Sequence, residues 1–204
     1  MNASELIRKY PIISDQIRSD ELGVLLRELE TVLKKSIEGD VVELGCYEGT
    51  SALFFKRLLN VYKSEKKLWL YDSFEGLPEK THEDQAASGE LFVGGALKAS
   101  QARLKRNFTK AGLKIPEIKK AWFWELDPSD LPDKICFAFL DGDFYESILD
   151  SLKLVLPKMT AGGVIIVDDY ANVKLPGARR AVDEFIADKE LTIKTETSLA
   201  IISA

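Results

Sequence analysis

Acidic residues follow four apolar runs of the chain, and their spacing is the first chemical signal in the sequence. They are Glu43, Asp72, the pair Asp141 and Asp143, and the pair Asp168 and Asp169. A single acidic residue after a strand is often a helix cap or a turn residue. Carboxylates gathered at neighbouring strand ends repel one another, and a hard dication relieves that repulsion. Ligands that are all oxygen favour Mg²⁺, Mn²⁺ or Ca²⁺ over zinc.

The segment from Glu43 to Gly49 predicts a ligand-binding turn. Its glycines, Gly45 and Gly49, allow the chain to turn tightly and a ligand to approach the backbone before the next helix. A dinucleotide fingerprint would need a glycine where Tyr47 stands. Asp72, one strand later, is placed to accept hydrogen bonds from two ribose hydroxyls. These features predict a cofactor that contains a ribose but no pyrophosphate.

The elements that must position these residues alternate between apolar strands and amphipathic helices. Strands are predicted at 41–45, 68–72, 118–123, 136–141, 163–168, 191–195 and 198–202, and helices at 22–33, 50–62, 100–111, 146–156 and 176–188. Continuously apolar strands that alternate with helices indicate a parallel sheet covered on both faces. We therefore expect a doubly wound α/β fold with a mostly parallel seven-stranded sheet, which binds its ligand at the carboxyl ends of the strands.

The predicted organisation is a single domain over residues 1–204, with an N-terminal helical segment at 1–38 and a Rossmann-like core at 39–204. The apolar face from Leu22 to Leu33 could pack on its own domain or on a second copy, so a homo-oligomer is one expectation. The polar loop at 73–95 follows the second strand and contains Phe74 and Phe92. We expect this loop to form a lid over the donor.

Bulk properties exclude several classes of partner. A formal net charge of -5 argues against a nucleic-acid partner, because such proteins normally carry a basic face. No stretch approaches the roughly 20 apolar residues that span a bilayer, and no apolar segment of signal-peptide length opens the chain. Cys46 and Cys136 have no zinc spacing, so they are expected to be buried free thiols. The expected location is the cytoplasm.

Five motifs, in this order and spacing, resemble one enzyme family. They are Glu43-Leu44-Gly45 with Gly49-Thr50-Ser51, the run from Tyr71 to Pro78, the run from Leu140 to Ser147, the run from Gly162 to Tyr170, and Ala181 to Phe185. Together they closely resemble the macrocin O-methyltransferase family. The resemblance implies a class I methyltransferase fold, S-adenosylmethionine as methyl donor, and a divalent metal, usually magnesium.

The resemblance also implies roles for individual residues. Asp141, Asp168 and Asp169 match the family's metal ligands, and Asp143 matches its proposed general base. The residues expected to contact the donor are Glu43, Gly45, Cys46, Gly49, Thr50, Ser51, Asp72, Ser73 and Asp141. The implied reaction is methyl transfer to a hydroxyl of a sugar-containing or other small-molecule acceptor. The metal would orient and acidify that hydroxyl, and Asp143 would take its proton.

Two other functions remain open at this point. Asp141-Gly142-Asp143 is also the D-x-D spacing with which sugar-nucleotide transferases hold a metal and a diphosphate, although the early glycine segment and Asp168-Asp169 speak against it. The second alternative is a non-catalytic protein that binds S-adenosylmethionine, but such a protein would have no need of metal ligands and a general base.

The aromatic run Trp122 to Trp124 could contribute one or two side chains to an adenine wall. Ala121, where relatives commonly have glycine, suggests that this wall is reshaped.

Overall fold

The computed structural model describes residues 2–86 and 92–203, which form a seven-stranded sheet with helices on both faces. The strands are β1 (Asp40–Leu44), β2 (Leu68–Asp72), β3 (Glu117–Lys120), β4 (Ile135–Leu140), β5 (Met159–Val167), β6 (Thr192–Glu196) and β7 (Leu199–Ser203). Their order is β3-β2-β1-β4-β5-β7-β6, and only β7 runs antiparallel to its neighbours, β5 and β6. The predicted mostly parallel α/β fold is confirmed.

Six α-helices cover the two faces of this sheet. They are α1 (Ala3–Lys9), α2 (Ser19–Lys34), α3 (Thr50–Val61), α4 (Gln101–Lys110), α5 (Tyr145–Val155) and α6 (Pro176–Ile186). Successive strand residues point to opposite faces. Val41 accordingly packs with helices α1 to α4, and Val42 packs with α5 and α6. Because both faces are covered, the strands are apolar throughout, which explains their continuous hydrophobic runs.

The N-terminal helix α2 packs on its own domain. Leu22, Leu25 and Leu29 are fully buried in the core that α2 shares with α3 and the sheet. Burial of one leucine side chain stabilises the fold by about 1.5–3 kcal/mol. At the start of the helix, the Arg18 backbone N–H donates to Glu21 Oε2 at 2.9 Å. The apolar face predicted at 22–33 therefore packs against the core of its own chain.

The third strand is shorter than the sequence predicts. Strand β3 ends at Lys120, whereas extended structure was expected through Phe123, and residues 123–125 form a 3₁₀ turn. The Glu125 carboxylate accepts a hydrogen bond from the Trp122 backbone N–H at 3.0 Å, which closes this turn. β3 lies at the edge of the sheet with β2 as its neighbour, so pairing does not hold the aromatic run in an extended conformation.

The strand register brings the predicted acidic positions to one edge of the sheet. Leu44 at the end of β1 pairs with Tyr71 of β2 and Leu140 of β4, and Leu140 pairs with Val167 of β5. The residue after each of these positions therefore leaves the sheet at the same level. Those residues are Gly45, Asp72, Asp141 and Asp168.

Candidate active site

Gly45 and Gly49 shape the turn after β1, for reasons that are mainly steric. Gly45 has a φ of +89°, and a Cβ at this position would lie 1.8 Å from the Asp141 carbonyl oxygen. Gly49 has a φ of +86°, and its Cβ would lie 2.3 Å from Leu104 Cδ1. The predicted tight turn is present, but other parts of the protein fill the space beside both glycines. The sequence had predicted that a ligand would approach the backbone there.

Asp72 organises the same turn through its carboxylate. Its Oδ2 accepts hydrogen bonds from the backbone N–H groups of Cys46 and Tyr47, both at 2.9 Å. Its Oδ1 accepts a third from the Phe74 N–H at 2.6 Å. A carboxylate offers about four acceptor positions, so at most one remains for a ligand hydroxyl. The sequence had predicted contacts to two ribose hydroxyls.

Three aspartates form a compact acidic cluster beside this turn. One carboxylate oxygen from each of Asp141, Asp143 and Asp169 lies within 4.8 Å of the other two. Loss of solvent and the negative neighbours Asp169 and Asp72 raise the pKa of Asp143 to about 8. Burial, then the charges of Asp168 and Asp143, hold the pKa of Asp141 well above its usual range. Oxygen ligands that repel one another at this spacing fit a hard divalent cation.

Asp168 lies next to this cluster but is not part of it. Its side chain is buried, and its Oδ1 accepts a hydrogen bond from the Asp169 N–H at 2.8 Å and lies 3.3 Å from Ser198 Oγ. In this conformation the compact cluster contains Asp143, where the resemblance would place Asp168. Burial and the neighbouring Asp169 charge hold the pKa of Asp168 well above its usual range.

Four non-glycine residues with a left-handed backbone conformation lie around the same edge. Tyr47, Phe74, Asp143 and Asp169 all have positive φ values, between 44° and 58°. Asp tolerates the left-handed region better than most residues, whereas an aromatic residue there is unusual. Such conformations persist only where the surroundings fix them, and they are common at functional sites. The turns after β1, β2, β4 and β5 are all of this kind.

Most of the remaining predicted donor contacts lie below the surface of the site. Glu43 is fully buried, accepts the Ser51 hydroxyl, and has an Oε2 without a hydrogen-bond partner within residues 2–86 and 92–203. Cys46 is a buried free thiol, and Thr50 Oγ1 lies 2.8 Å from Ser14 Oγ. Of the nine predicted donor residues, Gly45, Asp72, Ser73 and Asp141 line the cavity described next.

A cavity of about 260 Å³ opens at this edge. This volume is close to the lower end for small-molecule sites, about 300 Å³. The acidic cluster and Asp72 form part of its wall, and Trp122, Phe123 and Ser147 line it as well. Trp122 stacks on the half-exposed Trp124 with ring centroids 4.7 Å apart, so Trp122 and Phe123 fit the predicted aromatic wall.

The N-terminal segment contributes residues that sequence reasoning missed. The cavity is lined at the start of α2 by Asp15, Gln16, Arg18 and Glu21, and at the turn after β5 by Asn172. Their sequence signal is weak, because polar residues before a helix are usually caps. Topology alone brings them to the site, since α2 packs across β4 and β5.

The loop after β2 packs against the cavity over its described residues. The Leu77 N–H donates to the Ala96 carbonyl, and the Gly95 N–H donates to the Leu77 carbonyl, both at 2.8 Å. Leu77 forms a small apolar cluster with Phe144 and Leu175, on which Phe92 packs. Residues 87–91 of the predicted lid lie outside the described residues, and closure over the donor stays a prediction.

In the described residues, no helix is both long and apolar enough to cross a membrane.

Comparison with known proteins identifies the family. The family model for macrocin O-methyltransferase (TylF) matches residues 14–198.

Two curated relatives are O-methyltransferases by name, one of a rhamnosyl-tetracenomycin and one of mycinamicin III. The chain is 32% identical over 163 residues to the 8-demethyl-8-(2,3-dimethoxy-alpha-L-rhamnosyl)-tetracenomycin-C 4'-O-methyltransferase of Streptomyces olivaceus, covering 77% of this chain and 61% of the relative. It is 29% identical over 192 residues to the mycinamicin III 3''-O-methyltransferase of Micromonospora griseorubida, covering 90% and 74%. The chain thus spans about three fifths of the Streptomyces relative.

A solved structure agrees with this relationship. The O-methyltransferase NovP superposes with a TM-score of 0.75 at 28% identity, over 87% of this chain and 76% of NovP. The family match extends over most of the sheet and the acidic edge. The chain belongs to the macrocin O-methyltransferase family.

Proposed function

We propose that this protein is an S-adenosylmethionine-dependent O-methyltransferase that acts on a hydroxyl of a sugar-containing small molecule, with a divalent metal, most simply Mg²⁺. The observation that carries the proposal is the cluster of Asp141, Asp143 and Asp169 within 4.8 Å, in a cavity that Asp72 also lines. Family membership favours methyl transfer over the sugar-nucleotide transferase alternative.

The donor would bind along the edges of β1 and β2. The free acceptor position of Asp72 would take a ribose hydroxyl, and Trp122 and Phe123 would form the wall beside the base. The other five predicted donor residues would act beneath the cavity, where they would fix the turn and the start of α3. They are Glu43, Cys46, Gly49, Thr50 and Ser51. Bound S-adenosylmethionine supplies the electrophilic methyl group.

The metal would be held by Asp141 and Asp169, which belong both to the compact cluster and to the ligand set implied by the resemblance. Asp168 would complete the ligand set after its side chain turns from Ser198 towards the cluster. A bound Mg²⁺ would orient the acceptor hydroxyl and lower its pKa. The carboxylate chemistry of these residues fits such an ion.

Asp143 would accept the proton of the acceptor hydroxyl. It lines the cavity and lies beside Asp141 and Asp169, so a hydroxyl held at the metal site would be within its reach. Its left-handed backbone conformation fixes the direction of the side chain relative to β4. Asp143 would therefore be the catalytic base.

The named relatives support this acceptor class, since one is named for a rhamnosyl-tetracenomycin and the other for mycinamicin III. On this chain, Asp15, Gln16 and Arg18 offer exposed polar groups at the cavity, as recognition of a sugar would require. The side of the cavity that contains Phe92 and Leu175 is apolar and would suit the non-sugar part of such a molecule.

The test compares Asp143→Asn with the wild type in donor binding and in turnover. Mycinamicin III, the compound in the name of one relative, serves as the acceptor, and methylated product is detected by mass spectrometry. We expect Asp143→Asn to bind S-adenosylmethionine normally and to lose roughly a hundredfold or more in turnover. Asp150→Asn, on α5 with its ion pair to Lys153, is the matched control and should remain active. Full activity of Asp143→Asn would remove the base from the mechanism, and donor binding without turnover in the wild type would favour a binding protein.

A further inference from the structure

Three side chains from distant parts of the chain meet behind the acidic cluster. Glu21 comes from the first turn of α2, Ser198 from the turn between β6 and β7, and Asp168 is the residue that follows β5. The Ser198 hydroxyl lies 2.6 Å from Glu21 Oε1 and 3.3 Å from Asp168 Oδ1. Glu21 and Asp168 are both buried. One hydroxyl thus faces two carboxylates.

A serine hydroxyl has one proton, so Ser198 can donate to only one of the two carboxylates at a time. The contact to Glu21 has the length of a strong hydrogen bond between a hydroxyl and a carboxylate, whereas 3.3 Å is long for such a bond. The proton therefore belongs to the Glu21 contact. Asp168 is left with the Asp169 N–H as its closer donor.

Other contacts hold Glu21 and Ser198 in this arrangement. Glu21 Oε2 accepts the Arg18 backbone N–H at 2.9 Å, and the Arg18 guanidinium lies 3.2 Å from Oε1. The Ser198 carbonyl accepts the Ala171 N–H at 2.9 Å, which ties the β6–β7 turn to the segment after Asp169. Both groups are therefore fixed relative to the strand end that carries Asp168.

We infer that Glu21 is a positioning residue that withholds the Ser198 hydroxyl from Asp168, and so leaves Asp168 able to turn into the metal site. The inference rests on the proposed metal site. Without Glu21, the Ser198 hydroxyl would donate to Asp168 and hold it outside the cluster. Glu21 would then affect metal binding through Ser198, with no need to contact the ion.

The test measures Mn²⁺ affinity by the electron paramagnetic resonance signal of the free ion, in the absence of donor and acceptor. We expect Glu21→Ala to weaken Mn²⁺ binding by about 10–100-fold, which is typical for loss of a group that supports a metal ligand. Ser198→Ala should bind Mn²⁺ at least as well as the wild type. The double variant should recover at least about fivefold in affinity over Glu21→Ala, because no hydroxyl remains to hold Asp168.

Two further variants separate this role from charge and from folding. In Glu21→Gln the amide oxygen can still accept the Ser198 proton, so its affinity should exceed that of Glu21→Ala. Glu21→Leu, which keeps the bulk of the side chain but has no acceptor, replaces Glu21→Ala if the latter does not fold. Glu30→Ala removes another hydrogen-bonded carboxylate from α2, away from the site, and should bind Mn²⁺ normally. Circular dichroism checks that each variant is folded.

The outcomes distinguish this inference from the proposed function. Normal Mn²⁺ binding by Glu21→Ala would overturn the inference and leave the metal site standing. A double variant or Glu21→Gln as weak as Glu21→Ala would also overturn it, because negative charge alone would then explain the effect. A wild-type protein that binds no Mn²⁺ would overturn both the metal site and the role of Glu21.

Discussion

Glu43 should make the protein less stable as the pH rises, and Glu43→Gln should remove that dependence. The side chain is fully buried and accepts the Ser51 hydroxyl, while Oε2 lacks a hydrogen-bond partner in the described part of the chain. Burial, with a smaller contribution from the charge of Asp72, raises the pKa of Glu43 from 4.5 to about 8. The folded protein therefore binds this proton more tightly than the unfolded chain does.

The sign and size of the effect follow from that difference. A carboxyl whose pKa is higher in the folded state contributes stability below about pH 4.5, and this contribution is lost as the pH rises to about 8. At about 1.4 kcal/mol for each tenfold change in proton affinity, the full loss is about 5 kcal/mol. About 3 kcal/mol of it is already lost near pH 7.

Urea unfolding of the wild type and Glu43→Gln near pH 5, pH 7 and pH 9 measures this effect. Glutamine leaves a buried amide in place of the unpartnered oxygen, so the variant should be less stable near pH 5 by about 1–3 kcal/mol. Relative to the wild type it should gain about 4 kcal/mol between pH 5 and pH 9. Glu38→Gln, whose side chain is 72% exposed, should show no such gain. Parallel stability curves for Glu43→Gln and the wild type would refute the reasoning.

Three further predictions concern the metal, the turn after β1 and the N-terminal helix. Exhaustive EDTA treatment should abolish methyl transfer and added Mg²⁺ should restore it, whereas activity that survives chelation would exclude the metal. Gly45→Ala should destabilise the fold by more than about 3 kcal/mol in urea unfolding, because its Cβ would overlap the Asp141 carbonyl. Gly112→Ala, with φ +65° but nothing within 4 Å, should cost only about 1 kcal/mol, and equal losses would contradict the steric argument. Leu25→Ala should cost about 2–5 kcal/mol at any protein concentration if α2 packs on its own domain, and a loss that depends on concentration would indicate a subunit interface instead.

The sequence predicts the fold well because its signals are local and strong. Strands β1, β2 and β4 are buried on both faces, so their apolar runs mark them clearly. Parallel pairing then forces the residues after Leu44, Leu140 and Val167 to one edge. β3 is predicted less well, because an edge strand with exposed lysines has no such pattern, and a side-chain contact from Glu125 ends the extended run.

The site is predicted in position but not in detail, because side-chain directions depend on contacts between distant residues. Asp168 is directed by Asp169 and lies beside Ser198, which is 30 residues away. Glu21 reaches the site only because α2 packs across the sheet, and it reads in the sequence as an ordinary capping residue. The glycines of the first motif signal a tight turn correctly. What fills the space beside them is a tertiary contact.

The contacts of Asp84 decide whether Asp143 serves only to cap the start of helix α5. An aspartate just before α5 would ordinarily be expected to cap that helix. The Tyr145 N–H at the start of α5 instead donates to Asp84 Oδ1 at 2.7 Å, while Asp84 Oδ2 accepts from Thr81. Gly177 makes room for this arrangement, since a Cβ there would lie 1.9 Å from Asp84 Oδ1. The loop after β2 therefore supplies the cap, which leaves the Asp143 carboxylate to the cavity.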